Sequence, residues 1–325
     1  MQSLRIAFSD HYPQFEETNN SVWNDLSKFL KLELVDIDNK PDLLVFGDNP
    51  TRHHWRFSGF KVYLTQENQF PDFDECDLAF SHAVHLKDPR SIRLPYYAQV
   101  LKNPDLLIRS KTDDFRAHLI KPKFCSFVVS NPRCWQRNRI FKKIHRLKHV
   151  DSGGMHFNNL GKVVDDKMSF LKSYRFNIAF ENTATPGYIT EKLVEPLLVG
   201  SIPIYWGDPE VDRDFDLSCM IHARDFKNLN DLANYVIEVD ADEKLRQPYL
   251  QSPVFLGNTL PAFFQTGYVA KPIIRMLETE SPGKRIYRKR RIREHIRHEL
   301  GWGRRKWEQF GCKFESFLWR IGFRF

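Results

Sequence analysis

Residues 176–209 read FNIAFENTATPGYITEKLVEPLLVGSIPIYWGDP, and this stretch decides the fold. Residues 176–180 alternate large apolar side chains with small or polar ones, which predicts a strand. After a Pro-Gly pair, residues 188–199 carry apolar side chains at helical spacing and are followed by Gly200, a common helix stop. Residues 202–205 predict a second strand. The stretch is therefore predicted to form a βαβ unit with a right-handed crossover.

The edge where this helix begins is the predicted ligand site, because α/β units bind ligands outside the carboxyl ends of their strands. Five side chains mark that edge: Asn182, Tyr188, Thr190, Glu191 and Lys192. Free amides and the positive dipole end of a helix favour an anion such as a diphosphate. Considered alone, Lys192 is interpreted as a solvated surface charge. Considered alone, Glu191 is interpreted as a carboxylate that stabilises the helix. Their combination with a strand that ends in Asn182 favours a binding site.

The length of the chain, 325 residues, predicts two domains. The sequence contains no run of about eighteen apolar residues, so we expect no membrane-spanning helix. The first residues lead directly into a predicted strand at residues 4–8, without an apolar signal segment. On these grounds we expect a cytoplasmic protein.

Cysteine usage argues against a disulfide framework and against a zinc site. The five cysteines are widely scattered and form no C-x-x-C pair: Cys76, Cys125, Cys134, Cys219 and Cys312. We interpret them as small apolar residues of a protein in a reducing compartment.

Positive charge is concentrated in the tail. From Lys284 onward the chain has 14 Lys and Arg against 4 Glu, so the net charge of +8 arises there and the remainder is slightly acidic. Apolar residues recur in the tail at intervals of three and four: Trp307, Phe310, Phe314, Phe317, Leu318 and Ile321. This pattern predicts a basic amphipathic helix on an anionic membrane surface, with docking on the protein's own core as the alternative. Nucleic-acid binding is less favoured, because no groove-reading motif is present.

The first half predicts a parallel α/β sheet. The predicted strands are residues 4–8, 43–46, 61–64 and 77–80, with a helix at residues 22–30. Glu67 follows the third of these strands, at the edge where α/β domains place chemistry, and a general base needs such a fixed carboxylate. The simpler interpretation of Glu67 is a solvated loop residue. Residues 103–122 show no clear period and are interpreted as the interdomain connection.

The second half repeats the α/β pattern. A strand at residues 124–130 precedes a basic helix at residues 136–149, and residues 220–222 and 229–239 predict a further strand and helix. Three arginines cluster at the first strand-to-helix junction: Arg133, Arg137 and Arg139. Arg137 is the preferred phosphate ligand, with a surface charge as the alternative. Asp212 and Asp214 form a D-x-D string without a preceding strand, and we do not interpret it as a metal site.

The motifs FENTATPGYITEKL and SIPIYWGDP together resemble the donor-binding signature of the α-1,3/4-fucosyltransferases, glycosyltransferase family 10, and most closely its bacterial members. Further stretches are similar to the family's donor domain: SFVVSN from Ser126, the Arg137-Asn138 pair, DSGG from Asp151 and FLKSYRFN from Phe170. Two stretches are similar to the bacterial acceptor domain: VYLTQEN with Pro71, and IRLPYYA from Ile92. The resemblance covers roughly residues 4–235.

The resemblance implies a GT-B fold, with two Rossmann-like domains that face a cleft. Residues 1–115 would bind the acceptor, residues 116–280 would bind GDP-fucose, and residues 281–325 would form the tail. The implied reaction is inverting transfer of L-fucose to an N-acetylglucosamine hydroxyl, in an N-acetyllactosamine-type or lipopolysaccharide-type glycan. The expected location is the inner face of the membrane. The resemblance implies no obligatory metal and leaves Mn²⁺ stimulation and the oligomeric state open.

Site residues carry over position by position. Lys192 and Arg137 would hold the diphosphate, and Tyr188 and Asn182 would line the nucleotide site. Glu191 would lie near the ribose and the fucose ring, as a catalytic residue together with the general base Glu67. Two features depart from the bacterial pattern: heptad repeats are not visible before the tail, and Gln66 stands where a glycine is expected.

Two alternatives to this function stay open. The first is a related GT-B enzyme that uses another nucleotide sugar. The second is a non-catalytic protein that binds nucleotides or nucleic acid through the basic tail, which predicts salt-sensitive affinity for nucleic acid without sugar transfer.

Overall fold

The computed structural model describes residues 3–110, 119–279 and 281–282. Apart from Ser281 and Pro282, the predicted basic tail lies outside these residues, and so does part of the expected interdomain connection. Within these ranges, none of the helices combines the length and the apolar character needed to cross a bilayer. The described chain divides into two compact units.

The first unit contains a six-stranded parallel sheet in the order β2-β1-β3-β4-β5-β6. Its strands are β1 (Leu4–Ser9), β2 (Leu32–Leu34), β3 (Leu43–Phe46), β4 (Phe60–Leu64), β5 (Leu78–Ser81) and β6 (Ser91–Arg93). The four strands predicted from the sequence are confirmed. The edge strands β2 and β6 were not predicted, because each has three residues and none of them is buried.

The second unit contains a five-stranded parallel sheet in the order β11-β10-β9-β7-β8. Its strands are β7 (Lys123–Phe127), β8 (Val150–Ser152), β9 (Tyr174–Phe180), β10 (Ile202–Trp206) and β11 (Ile221–His222). In the predicted βαβ unit, β9 and β10 pair in parallel from Phe176 opposite Ile202 to Phe180 opposite Trp206. The parallel pairing on which the sequence argument depends is therefore confirmed.

The α-helices of the described residues are α1 (Ser21–Leu26), α2 (Tyr96–Val100), α3 (Trp135–Leu147), α4 (Lys167–Leu171), α5 (Glu191–Leu198), α6 (Leu229–Ala241), α7 (Glu243–Gln251) and α8 (Ala270–Thr279). The predicted helix at residues 22–30 is shorter than expected. The predicted start of α5 at residue 188 was wrong, because Thr190 adopts extended backbone angles and caps the helix instead. Gly200 has a φ of +67°, the left-handed conformation expected after a helix end.

The domain boundaries differ from the predicted division at residues 115 and 280. The first unit comprises the described residues 3–102, 186–188, 261–279 and 281–282, and the second comprises the other described residues. The chain rejoins the first unit at residue 261 because the apolar side of α8 packs there. Ile273 and Met276 of α8 are buried in the core of the first sheet. Asn103 already begins the second unit, where Leu107 is fully buried.

Each sheet has a topological switch point. Both orders place the second strand of the unit on one side of the first and the third strand on the other, so the connections leave in opposite directions. In such sheets the ligand crevice opens at the carboxyl ends of the first and third strands. The expected crevices therefore lie above β1 and β3 in the first unit, and above β7 and β9 in the second.

The four described cysteines are free thiols, and Cys312 lies outside the described residues. Cys76, Cys125 and Cys219 are buried, and burial raises the pKa of Cys219 to about 12. Three of the described thiols thus behave as the small core residues that the sequence predicts.

Asp25 on α1 anchors the returning helix, and this contact makes a stability prediction. Its carboxylate accepts hydrogen bonds from the backbone N–H groups of Gly267 (2.9 Å), Val269 (3.0 Å) and Ala270 (2.9 Å). We expect Asp25→Ala to destabilise the first unit by about 2 kcal/mol, because it removes a helix cap and leaves buried N–H groups without a partner. The urea midpoint should fall. Asp25→Asn keeps one acceptor oxygen and should lower the urea midpoint less than Asp25→Ala does. An unchanged midpoint in Asp25→Ala would contradict the anchoring role of Asp25.

Candidate functional site

Arg137 spans the switch point of the second sheet. On the β9 side, its Nη1 donates to the carbonyl oxygen of Phe180 (3.3 Å) and to Oδ1 of Asn182 (2.7 Å). On the β7 side, its Nη2 donates to the carbonyl oxygens of Asn131 (2.6 Å) and Arg133 (2.8 Å). The side chain is fully buried, so the surface-charge alternative for Arg137 is wrong. Its guanidinium fixes the loops that follow both strands.

Glu181 is a buried carboxylate at the base of the site. It accepts the N–H of Thr190 (2.8 Å) and lies within 2.9 Å of the Thr190 hydroxyl through both carboxylate oxygens. Its Oε2 lies 3.5 Å from Nζ of Lys192. Burial raises the pKa of Glu181, while Lys192 and Thr190 oppose the shift. Glu181 is not among the site residues predicted from the sequence; the available signal is an acidic residue that directly follows the predicted strand at residues 176–180.

Glu191 and Lys192 form an ion pair at the start of α5. Nζ of Lys192 lies 3.2 Å from Oε1 of Glu191 and donates to Oγ1 of Thr190 at 3.1 Å. Burial alone would raise the pKa of Glu191, but the charges of Lys192 and Lys167 lower it to about 2. Burial likewise opposes the charge of Lys192, yet Glu181 and Glu191 raise its pKa. At neutral pH the pair is therefore a carboxylate beside an ammonium.

Lys167 is a further member that sequence reasoning missed. It begins α4, with Nζ 3.7 Å from Oε1 of Glu191 and 2.5 Å from Oε2 of Glu195. No local pattern around residue 167 indicates a site, because its partners lie more than twenty residues away in the chain. Lys167 is thus a second cation beside Oε1 of Glu191, in addition to Lys192.

The electrostatics of this edge favour an anion. The pKa of Lys192 is raised overall, but the positive charge of Arg137 opposes that rise. The two cations therefore interact electrostatically. The first turn of α5 adds the positive end of its dipole, while the N–H groups of Lys192 and Leu193 already donate to Thr190. Glu181 and Glu191 already lie beside Lys192, so a bound phosphate would share its ammonium with these carboxylates. The cluster of Arg137, Asn182, Glu191 and Lys192 is therefore a candidate diphosphate site.

Tyr188 belongs to the first unit, and a glycine precedes it for a steric reason. The Tyr188 side chain is 4% exposed, and its ring meets that of His82 edge-on with centroids 5.3 Å apart. Gly187 has a φ of +82°, and a Cβ there would lie 2.1 Å from the carbonyl oxygen of His82. The proposed contact of Tyr188 with a nucleotide stays a prediction.

Glu67 lies at the carboxyl end of β4 in the first unit, on a well-held turn. Its N–H donates to Oγ1 of Thr65 (3.0 Å), and that oxygen lies 3.1 Å from Oδ2 of Asp48. Nε2 of Gln99 donates to the carbonyl oxygen of Thr65 at 2.8 Å. The residue itself is exposed. Gln66, which departs from the family pattern, is therefore compatible with an ordered turn on which Glu67 is an exposed residue.

The described residues contain no group of three His, Cys, Asp or Glu side chains placed to hold a metal ion. Asp212 lies in a 3₁₀ turn, Val211–Arg213, and its neighbour Asp214 is buried.

Comparisons with known proteins identify the family. Residues 119–252 match the model of the glycosyltransferase family 10 (fucosyltransferase) C-terminal part, and residues 6–100 match that of the alpha-(1,3)-fucosyltransferase FucT N-terminal domain. The alpha-(1,3)-fucosyltransferase FucT of Helicobacter pylori is 28% identical over 324 residues, covering 87% of this chain and 67% of that protein. The 4-galactosyl-N-acetylglucosaminide 3-alpha-L-fucosyltransferase 9 of Mus musculus is 29% identical over 154 residues, which are 45% of this chain and 41% of the mouse protein.

A solved structure agrees with these matches. The crystal structure of an alpha1,3-fucosyltransferase with GDP-fucose superposes with a TM-score of 0.73 at 25% identity, covering 88% of this chain and 92% of that one. This agreement confirms the predicted α/β architecture of the GT-B class, with two Rossmann-like domains. The two family models together match more than half of the chain, which therefore belongs to glycosyltransferase family 10 and is a fucosyltransferase.

Proposed function

We propose that the protein transfers L-fucose from GDP-fucose to a hydroxyl of an N-acetylglucosamine unit in a glycan, with inversion at the anomeric carbon. The observation that carries this proposal is the cationic cluster of Arg137 and Lys192 at the switch point of the second sheet. The H. pylori and mouse relatives are named as 3-fucosyltransferases, and the mouse name specifies a 4-galactosyl-N-acetylglucosaminide acceptor. These names support an N-acetyllactosamine-type acceptor and an α-1,3 linkage.

Departure of GDP is the step that the cationic cluster would assist. Negative charge develops on the β-phosphate oxygens as the bond to the fucose anomeric carbon breaks. Lys192 and the positive dipole end of α5 would stabilise that charge. All four Nη hydrogens of Arg137 point at protein oxygens, so Arg137 would act by fixing Asn182 and by adding its field. Direct contact between Arg137 and the diphosphate stays a prediction.

Glu191 would act on the sugar side of the breaking bond. Its carboxylate is ionised at neutral pH, since its pKa is lowered to about 2 by the neighbouring lysines. An ionised carboxylate stabilises the positive charge of an oxocarbenium-like transition state and accepts hydrogen bonds from ribose or fucose hydroxyls. Lys167 and Lys192 hold the side chain for this role.

Glu67 would serve as the general base. Inversion requires the acceptor oxygen to attack the anomeric carbon from the face opposite GDP, while a base removes its proton. An exposed carboxylate on a fixed turn at the carboxyl edge of β4 fits that role.

We also propose that the basic tail places the enzyme on the cytoplasmic face of an anionic membrane, close to lipid-linked acceptors. The excess of Lys and Arg from Lys284 onward supports this proposal. Co-sedimentation with anionic vesicles, and not with neutral ones, is the expected result. Equal sedimentation with both would count against it.

Lys192→Ala should lower turnover by about 100-fold, the usual scale for a residue that stabilises transition-state charge. Lys172→Ala, which removes an exposed lysine of the same unit, should have no effect. Release of GDP from GDP-fucose in the presence of N-acetyllactosamine measures both. Near-wild-type turnover in Lys192→Ala would show that Lys192 does not stabilise the departing diphosphate.

Glu67→Gln should lower turnover by about 100-fold or more while GDP-fucose still binds, because an amide cannot accept the acceptor proton at neutral pH. Glu33→Gln, at an exposed position of the same unit, is the matched control. Steady-state kinetics together with a GDP-fucose titration separate the two effects. Normal turnover in Glu67→Gln would show that Glu67 is not the general base.

A further inference from the structure

A cavity of about 300 Å³ lies at the carboxyl ends of β9 and β10 in the second unit, between α3 and the start of α6. Its volume is at the lower end of the range of about 300–1,000 Å³ that is typical of small-molecule sites. The candidate diphosphate cluster of Arg137, Asn182, Glu191 and Lys192 contributes no residue to its lining. The reaction steps described above do not use this cavity.

Aromatic rings form the apolar wall of the cavity. Phe180 and Trp206, at the ends of adjacent strands, stack with ring centroids 5.8 Å apart and planes at 24°. Trp135, the first residue of α3, also lines the cavity and is 52% exposed. A single exposed aromatic side chain needs no explanation, but one that lines a cavity with two further rings provides a surface on which a ligand ring can pack.

Two cations lie on the same helix face as Trp135. Arg139 and Lys143 follow it at intervals of four residues and also line the cavity. The guanidinium carbon of Arg139 lies 4.8 Å from the centroid of the Trp135 ring. Within the part of the chain that the structure describes, neither cation is paired with a carboxylate, and the cavity lining contains no Asp or Glu. Two such cations favour a ligand with a negative group.

Side-chain amides complete the lining, and hydrogen bonds hold two of them in place. Asn228 caps α6 by accepting the N–H groups of Asn230 (2.8 Å) and Asp231 (3.1 Å). Its Nδ2 donates to the carboxylate of Asp231 at 2.9 Å, and Asp231 itself does not line the cavity. Nζ of Lys143 donates to Oδ1 of Asn230 and so joins α3 to the start of α6. Gln136 supplies the third amide. The walls are therefore preorganised, which lowers the entropic cost of binding.

The lining favours a sugar that carries a negative group. A sugar ring has an apolar C–H face that packs on aromatic side chains, and its hydroxyls exchange hydrogen bonds with amides. A phosphate or carboxylate on that ring pairs with Arg139 and Lys143. A neutral sugar leaves both cations without a partner, and inorganic phosphate leaves the aromatic wall uncovered. An anionic sugar uses all three features of the cavity.

We propose that this cavity is a second ligand site, which binds an anionic sugar independently of GDP-fucose. Trp135 packs on the face of the sugar ring, and Arg139 and Lys143 bind its phosphate or carboxylate. The inference goes beyond the proposed reaction, because the cavity does not share its lining with the donor cluster. Free sugar phosphates and the anionic units of a glycan chain both have this chemistry.

The test is an NMR titration of the full chain, saturated with GDP, in which glucose 6-phosphate shifts the indole N–H signals of Trp135 and Trp206. The double variant Arg139→Ala/Lys143→Ala should bind glucose 6-phosphate at least tenfold more weakly, because both partners of the phosphate are removed. Trp135→Ala should bind it about tenfold more weakly, as reported by the Trp206 signal.

The matched control is the double variant Lys142→Ala/Arg146→Ala. It removes two cations from the same helix that do not line the cavity, and it should change the affinity by less than about twofold. Turnover with N-acetyllactosamine should be unchanged in all of these variants. If the wild-type enzyme transfers no fucose, the titration still tests the site, and only the proposed reaction is overturned.

A hyaluronan tetrasaccharide, whose glucuronate units carry carboxylates, is the second probe and distinguishes the two sources of the ligand. Tighter binding of the tetrasaccharide than of glucose 6-phosphate supports a glycan chain as the occupant. The opposite order supports a free sugar phosphate.

Four results would overturn the proposal. Glucose that binds as tightly as glucose 6-phosphate would show that the cations do not select a negative group. Binding that GDP abolishes would place the ligand in the donor site. Tighter binding of GMP than of either sugar probe would identify a nucleotide site. An equal loss of affinity in the control variant would show that only the general positive charge of α3 matters.

Discussion

The buried carboxylate of Glu181 is the constraint on which the donor side of this enzyme depends. A charge with no solvent access is tolerated only when hydrogen bonds and an opposite charge compensate it. Glu181 obtains both from Thr190 and Lys192, and in doing so it fixes where α5 begins and where its first-turn lysine lies. Arg137 completes the arrangement by joining the loops that follow β7 and β9. Glu181, Lys192 and Arg137 thus fix the start of α5 and the loops after β7 and β9. They also supply the positive charge that a departing diphosphate requires.

The two units use the same sheet plan for opposite chemistry. The second unit places its functional groups at the carboxyl ends of its first and third strands, and the first unit places Glu67 at the carboxyl end of its fourth strand. The second unit presents cations at a helix N-terminus, which suit a nucleotide diphosphate. The first unit presents the Glu67 carboxylate, which suits the removal of a hydroxyl proton. A glycosyl transfer needs both kinds of surface, one for the leaving group and one for the nucleophile.

Local pattern predicted much of this architecture, and its failures have a common cause. The buried strands were predicted because short runs of apolar or alternating residues are typical of strands. Glu67 was placed correctly after β4 because it follows such a run. The short edge strands β2 and β6 lack buried residues and gave no such signal. The return of α8 to the first unit, the burial of Arg137, and the roles of Glu181 and Lys167 all depend on partners distant in the chain. Sequence reasoning found the motif that carries the donor site and missed the residues that hold it in place.

The proposed mechanism requires GDP-fucose to bind at the switch point of the second sheet. Hydrogen–deuterium exchange of the full chain, with and without saturating GDP-fucose, can detect this binding. Bound GDP-fucose should slow exchange in two segments, residues 131–137 and residues 181–193, and UDP-glucose should not. Protection confined to other segments, or equal protection by both nucleotides, would contradict it.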